Sequence, residues 1–149
     1  MTKMEKLPRI LLAGMNSGCG KTSITCGILK ALTDRGIRIQ SYKCGPDYID
    51  PMFHETVLGT PSKNLDTFFA GEELTRQLFL EDAALADLSV VEGVMGLYDG
   101  LGGVTTQAST WDVARTLEAP WVTTTALASA VKRAHTPYPP PPVPRPFSS

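Results

Sequence analysis

Long apolar runs are missing from this chain, and so is any excess of positive charge. No stretch approaches the roughly 18 consecutive apolar residues that a membrane-spanning helix requires, and Met1 to Pro8 lacks the apolar core of a signal peptide. These absences point away from a membrane and toward the cytoplasm. Lysine and arginine number 14 against 15 acids, a net charge of −1 with no basic cluster, so nothing suggests a nucleic-acid groove. Cysteine is sparse. Cys19, Cys26 and Cys44 form no metal-spaced pair and read as reduced thiols. Cys44 stands before a Gly-Pro turn, but neither histidine has a context that would make it an obvious base for a cysteine nucleophile. What remains is 149 residues, 42% of them hydrophobic and 19% charged, enough for one globular domain with its own core.

The chain is organised around Gly14 to Thr22, GMNSGCGKT. The apolar run Ile10-Leu11-Leu12-Ala13 precedes it, and helical spacing begins behind it with Ile24, Ile28, Leu29 and Leu32. Strand, glycine loop, Gly-Lys-Thr and helix describe a phosphate-binding loop. Glycines let several N–H groups converge on one anion at the positive end of a helix. Asn16, Ser17, Gly18, Cys19 and Gly20 are the expected cradle. Lys21 adds a full charge for the terminal phosphates, and Thr22 offers a hydroxyl oxygen to Mg²⁺. The spacing is a variant: the common G-x4-G-K-[ST] loop needs glycine at position 15, where this chain has Met15, so Gly14 gives G-x5-G-K-T.

Arg9 to Ala13 is expected as the first strand, with a helix from the loop to about Arg35 that Gly36 ends. Ile37 to Cys44 reads as a second strand. Gly45 to Asn64 carries Pro46, Pro51, Gly59 and Pro61 and is expected to be loop with little room for a helix. Leu65 to Ala86 reads as helix, Leu88 to Val91 as a third strand, and Val94 to Val104 as glycine-rich loop. Ser109-Thr110-Trp111-Asp112 has capping-box form and opens a helix to about Glu118. Pro120 to Thr125 is the fourth strand. Alternation of strand and helix predicts an α/β fold of the P-loop NTPase kind, a mostly parallel sheet with helices on both faces. The glycine loops then gather at the carboxyl edge of the sheet. Pro137 to Ser149 holds seven of the twelve prolines and is expected as a disordered, polyproline-like tail behind a domain covering 1–136.

Two more stretches place acids after predicted strands: YKCGPDYIDP from Tyr42 to Pro51, and VVEGVMGLYDG from Val90 to Gly100. Glu92 ends an apolar run as the acid of a Walker B strand does. Asp47, Asp50 and Asp99 sit in glycine- or proline-bounded turns near the same sheet edge. Lys43, at a strand end, is a further candidate for phosphate.

KCGPDYIDPMFH and VEGVMGLYDG, with NLD at Asn64 to Asp66 and STWDVA at Ser109 to Ala114, resemble the N-terminal domain of the cobyrinate a,c-diamide synthase family from about Arg9 to Val122. The family is a glutamine-dependent amide ligase of corrinoid (vitamin B12) biosynthesis. It is related to dethiobiotin synthetase, which has the same G-x5-G-K-T spacing. The resemblance implies that ATP and Mg²⁺ phosphorylate an acetate side chain of cobyrinate, and that ammonia displaces phosphate to leave an amide, at the c and then the a position. Lys21 would clamp the phosphates. Thr22, Glu92 and one of Asp47 or Asp50 would hold the metal, with Asp47 named as ligand. The remaining acids, Asp99 included, would orient the substrate carboxylate or receive protons. A partitioning-type ATPase switch shares a variant loop, but it places lysine where this chain has Asn16.

After Val122 the resemblance stops. Thr123-Thr124-Thr125-Ala126-Leu127-Ala128, Lys132-Arg133 and the proline tail replace the family's next strand. This break is expected to reflect a reading-frame shift or a premature end, leaving a four-stranded sheet with an apolar edge. The family's glutaminase domain lies outside the resemblance. Ammonia from solution or a separate subunit, and no glutamine-dependent activity of these residues alone, are the matching expectations. An inactive or ATP-binding-only fragment is the other reading.

Overall fold

A computed structural model describes residues 3–47, 49–127 and 129. The proline-rich tail expected over 137–149, and the boundary drawn at 136, lie outside the described residues. Five strands form one parallel sheet: β1 (Arg9–Ala13), β2 (Ile39–Cys44), β3 (Ser62–Leu65), β4 (Leu88–Glu92) and β5 (Trp121–Thr123), in the order β3-β2-β4-β1-β5. Four helices connect them: α1 (Lys21–Thr33), α2 (Ile49–Leu58), α3 (Thr67–Ala83) and α4 (Thr110–Thr116). The P-loop NTPase-like α/β architecture expected from the sequence is the one observed.

Strand alternation divides the core in two. Leu12, Ile39 and Val90 face Leu29 of α1, joined by Ile28 and Leu32 of the same helix and by Leu58 of α2. Leu11, Ala13, Tyr42, Cys44 and Val91 face Phe79 and Ala83 of α3 and Val113 and Ala114 of α4. Helices thus cover both faces, as a parallel sheet requires. Because side chains alternate, Ser41, Lys43 and Glu92 fall on the α1–α2 face, two or four residues beyond the apolar positions Ile39 and Val90 that fix the strands there. The register brings Lys43 opposite Glu92 across the β2–β4 pair.

Two elements differ from expectation. Gly45 to Asn64 is not a long loop: it contains α2 and β3, so the sheet has five strands rather than four. Pro51 is the third residue of α2, where its missing N–H costs the helix no bond. The strand Ser-Lys-Asn-Leu pairs in parallel with β2 at the sheet edge, where a polar sequence is tolerated. The helix expected from Leu65 begins at Thr67, capped by Asp66, whose side chain accepts from Phe68 N, and it is kinked at Gly71.

Candidate active site

The order β3-β2-β4-β1-β5 sends the chain from β1 to α1 on one face and from β4 to α4 on the other. The crevice beyond the carboxyl ends of β1 and β4 is therefore the switch point at which open parallel sheets bind ligands. Gly14 to Gly20 curls there, with Gly18 and Gly20 at φ of 72° and 80°, and Lys21 opens α1. A cavity of about 470 Å³ lies above the loop. Ser17 to Ser23, Lys43, Asp47, Asp50 and Gly93 to Met95 line it.

Lys21 is buried and folds back over the loop. Its ammonium donates to the carbonyls of Asn16 (3.0 Å) and Met95 (2.7 Å). Gly14 makes room for this: a Cβ there would collide with Cys19 Sγ and sit 2.8 Å from Lys21 Nζ. The early glycine of the variant spacing thus has a steric reason. Among the described residues Lys21 makes no ion pair, so its charge faces only neutral acceptors. Met95 holds its carbonyl toward Lys21 from a left-handed backbone (φ 51°), a conformation costly for a non-glycine residue.

The acids gather beside it. Thr22 Oγ1 donates to Glu92 Oε1 at 2.8 Å and lies 3.3 Å from Asp50 Oδ2. Lys43 Nζ donates to Asp50 Oδ2 (2.8 Å) and Glu92 Oε1 (2.9 Å), with Asp47 Oδ2 at 3.8 Å. Burial acts to lower the Lys43 pKa, but Glu92 and Asp50 outweigh it and hold the ammonium charged above its usual range. Burial likewise acts to raise Asp50, yet the bonds from Lys43 and Thr22 keep its carboxyl below the ordinary range. Lys43 is thus paired with the acids where it lines the cavity above the loop.

Other residues hold these groups in place. Asn64 donates to the carbonyls of Gly45 (2.7 Å) and Asp47 (2.5 Å), pinning the β2–α2 loop. Thr110 Oγ1 accepts from Val94 N (2.9 Å) and donates to Val94 O (2.8 Å), pinning the loop after Glu92. A Cβ on Gly93 would meet the Thr110 methyl at 2.6 Å. Ser109 caps α4, accepting from Asp112 N as the capping-box reading expects.

Asp99 is not brought into the acid cluster. Its Oδ2 accepts from Gly96 N at 2.9 Å and closes a turn, and the carboxylate lines a neighbouring, largely apolar cavity with Phe68 and Phe69. Asp47 is only loosely joined to the cluster: its Oδ1 accepts from Ile49 N, and Asp50 is the aspartate that reaches Thr22. Asn16 contributes its carbonyl to Lys21. Burial, which leaves Cys44 1% exposed, pushes its thiol up to about 12. Cys19 is different: its hydrogen bond with Thr124 Oγ1 (3.5 Å), against some burial and with help from Lys21, lowers its pKa.

Sequence reasoning passed over His54. It lies on α2 four residues after Asp50 and so shares a helix face with it. It is fully buried between Ser41 and Glu92. Burial lowers its pKa against the pull of Glu92 and Asp50, which leaves the imidazole neutral at pH 7. The i, i+4 spacing from Asp50 in DYIDPMFH was the available signal.

The loop, its lysine and the acids after β2 and β4 are the parts of a nucleotide site, and a match to a known family agrees. Residues 10–118 fit the CobQ/CobB/MinD/ParA nucleotide binding domain. The chain belongs to this family. Over 116 residues it is 48% identical to a hydrogenobyrinate a,c-diamide synthase from Streptomyces coelicolor, covering 78% of this chain and 24% of that protein. It is 46% identical over 117 residues to a cobyrinate a,c-diamide synthase from Thermoplasma acidophilum, covering 78% of this chain and 26% of the relative. The similarity to a Synechococcus cobyrinate a,c-diamide synthase is 48% over 111 residues, again about three quarters of this chain and 24% of the relative. The chain thus spans about a quarter of the length of these relatives. No helix among the described residues is long and apolar enough to cross a membrane.

Proposed function

We propose that this domain binds Mg-ATP and phosphorylates a carboxylate of a cobyrinate-type macrocycle, for amidation in corrinoid biosynthesis. One observation carries the reading: the hydroxyl that ends the phosphate loop, Thr22, is bonded to the acid that ends β4 and borders the acid on α2. The names of the relatives supply the acceptor.

The residues fit a magnesium ion. Thr22, Glu92 and Asp50 offer hard oxygen atoms, and three carboxylates around one ammonium leave a formal surplus of two negative charges. Among the described residues no group of three or more His, Cys, Asp or Glu could hold a metal alone. That suits Mg²⁺, which takes one or two protein oxygens together with phosphates and water. Bound there, the ion would neutralise phosphate charge. Thr22, Glu92 and Asp50 would hold it, with Asp47 near enough to act through water.

The chain's own groups do the rest. Loop N–H groups and the α1 N-terminus bind phosphate. Lys21 exchanges its carbonyl partners for phosphate oxygens and stabilises the charge that builds on the transferred group. Lys43 keeps Asp50 ionised and holds both Asp50 and Glu92 aimed by its hydrogen bonds. A substrate carboxylate oxygen attacks the γ-phosphorus as the bond to ADP breaks. The nitrogen of ammonia then attacks the acyl carbon, phosphate leaves, and the ammonia proton passes to solvent or to an exposed acid such as Asp47.

The test is calorimetric titration of the chain with Mg-ATP, with Lys21→Ala as control. Loss of a charged hydrogen bond to phosphate should weaken binding by about 10–100-fold. An assay with cobyrinate and free ammonium then makes the result independent of the nitrogen source. Amide formation supports the reading. Binding without amidation would leave a nucleotide-binding domain only, and equal binding by the control would overturn the assignment of the loop.

A further inference from the structure

Two polar atoms face each other without partners in the most enclosed part of the site. His54 Nε2 and Glu92 Oε2 are both fully buried, both lack a hydrogen bond, and stand 3.9 Å apart. Unpartnered buried polar atoms are uncommon, and each calls for an explanation. The gap is too wide for a direct hydrogen bond and too narrow for a bridging water at ordinary bond lengths. A small rotation of the Glu92 carboxylate would close it.

The other side of the ring is already fixed. His54 Nδ1 lies 3.0 Å from Ser41 Oγ and 3.3 Å from Ser62 Oγ, and Ser62 Oγ lies 3.4 Å from Ser41 Oγ. Two hydroxyls, from adjacent strands β2 and β3, thus border one ring nitrogen, and with Ser62 donating to Ser41 the Ser41 hydroxyl is free to donate to Nδ1. A neutral imidazole that accepts at Nδ1 carries its proton at Nε2, and Nε2 is the atom directed at Glu92. Meanwhile Oε1, the opposite oxygen of Glu92, is held by Thr22 and Lys43.

We propose that His54 is a positioning residue for Glu92: its Nε2–H takes Oε2 when the carboxylate turns toward a divalent cation, fixing the plane in which Oε1 faces the phosphate cavity. The assignment rests on Glu92 being a metal ligand. Outer-shell partners of this kind orient ligating carboxylates and typically change metal affinity by 10–100-fold when removed. The serine pair sets the tautomer, and α2 sets the distance by carrying His54 one turn after Asp50.

Two replacements separate the two sides of the ring. Asn at position 54 can keep the serine contacts but cannot reach Glu92, whereas Gln can extend an N–H to Glu92. The experiment measures ATP binding to the full chain by calorimetry, with Mg²⁺ and with EDTA, for wild type, His54→Asn, His54→Gln and Glu92→Gln. The expected result is that His54→Asn loses about tenfold or more of the Mg²⁺-dependent tightening and His54→Gln recovers most of it. Binding in EDTA should stay equal in the wild type and the two His54 variants. Wild-type Mg²⁺ dependence in both variants, or equal loss in both, overturns the positioning role. No effect of Glu92→Gln on Mg²⁺ dependence would instead overturn Glu92 as a ligand, and this proposal with it. Long-range ¹H–¹⁵N correlation of the wild type gives a check that needs no folded variant. The chain has two histidines, His54 and His135, and a proton on Nδ1 rather than Nε2 of His54 refutes the assignment.

Discussion

Replacing Lys43 by methionine tests the electrostatic account of the site most directly. Lys43 is 5% exposed and Glu92 fully buried, with the ammonium 2.9 Å from one carboxylate and 2.8 Å from the other. At an effective dielectric of about 20, each pair interacts by about 6 kcal/mol before desolvation is counted. Removing one partner of a buried pair costs about 3–5 kcal/mol net, because the remaining charge is stranded. For a chain of this size that corresponds to a fall in Tm of about 10–15 °C. The loss should depend on pH. In the wild type the Asp50 pKa is depressed, so its contribution is present above the unfolded carboxylate value of about 4 and is lost as pH falls through the folded one. In Lys43→Met the bond and the charge that hold Asp50 low are gone, so this contribution above about pH 4 is lost from the variant. Its deficit should be small near pH 4 and full at pH 7. Glu92→Gln on the same background should recover part of it. Urea unfolding at the two pH values reads all of this. A deficit under about 1 kcal/mol at pH 7, or one of equal size at both pH values, would refute the reasoning.

Three further outcomes are expected. Cys19, half-exposed with its thiol pKa lowered, should react with a maleimide well before Cys44, and ATP should protect it; mass spectrometry of partly labelled protein reads the order. Gly14→Ala forces Lys21 Nζ off its place beside the loop, so ATP affinity should fall about tenfold while urea stability changes little. Asp112 accepts from Thr67 Oγ1 (2.9 Å), Ala108 N (3.0 Å) and Arg115 (2.9 Å). Burial opposes these bonds but does not prevent them from holding its carboxyl low. Asp112→Asn should therefore cost about 1–2 kcal/mol at pH 7. The difference should vanish as pH falls through the depressed wild-type value, as an acid unfolding series would show.

The fold was legible wherever buried apolar residues set the pattern. β1, α1, β2, β4 and α4 are each marked by Leu, Ile or Val on a covered face, and each stands within a few residues of its expected limits. α2 breaks that rule. Its buried residues include Pro51 and His54, while Ile49, Met52, Phe53 and Val57 are exposed, so its apolar residues mark the uncovered face. A proline in its first turn completed the disguise. β3 was hidden for another reason: an edge strand of Ser, Lys, Asn and Leu has neither a buried run nor clear alternation, and only pairing with β2 makes it a strand.

The site divides in the same way. Lys21, Thr22, Glu92 and Asp50 were visible because their chemistry is tied to loop position: each stands at or after a strand end and within two residues of a glycine or proline. The pairings of the groups that act on them were not, because they depend on register and on α2, although Lys43 itself stood among the candidates. Lys43 looks like a strand-end lysine until the β2–β4 register sets it opposite Glu92. His54 looks like a core residue until α2 turns it to the same face as Asp50. Asp99 shows the converse, with a neighbourhood of glycines that matches Glu92 in sequence but whose carboxylate is spent on Gly96 N. A side chain's place after a strand therefore says where it stands, whereas its partner decides whether it serves the site or the turn. For Glu92 that partner is read from the sheet face and the helix over it, Lys43 and His54, whereas among the described residues the partner of the Asp99 carboxylate is the backbone N–H of Gly96.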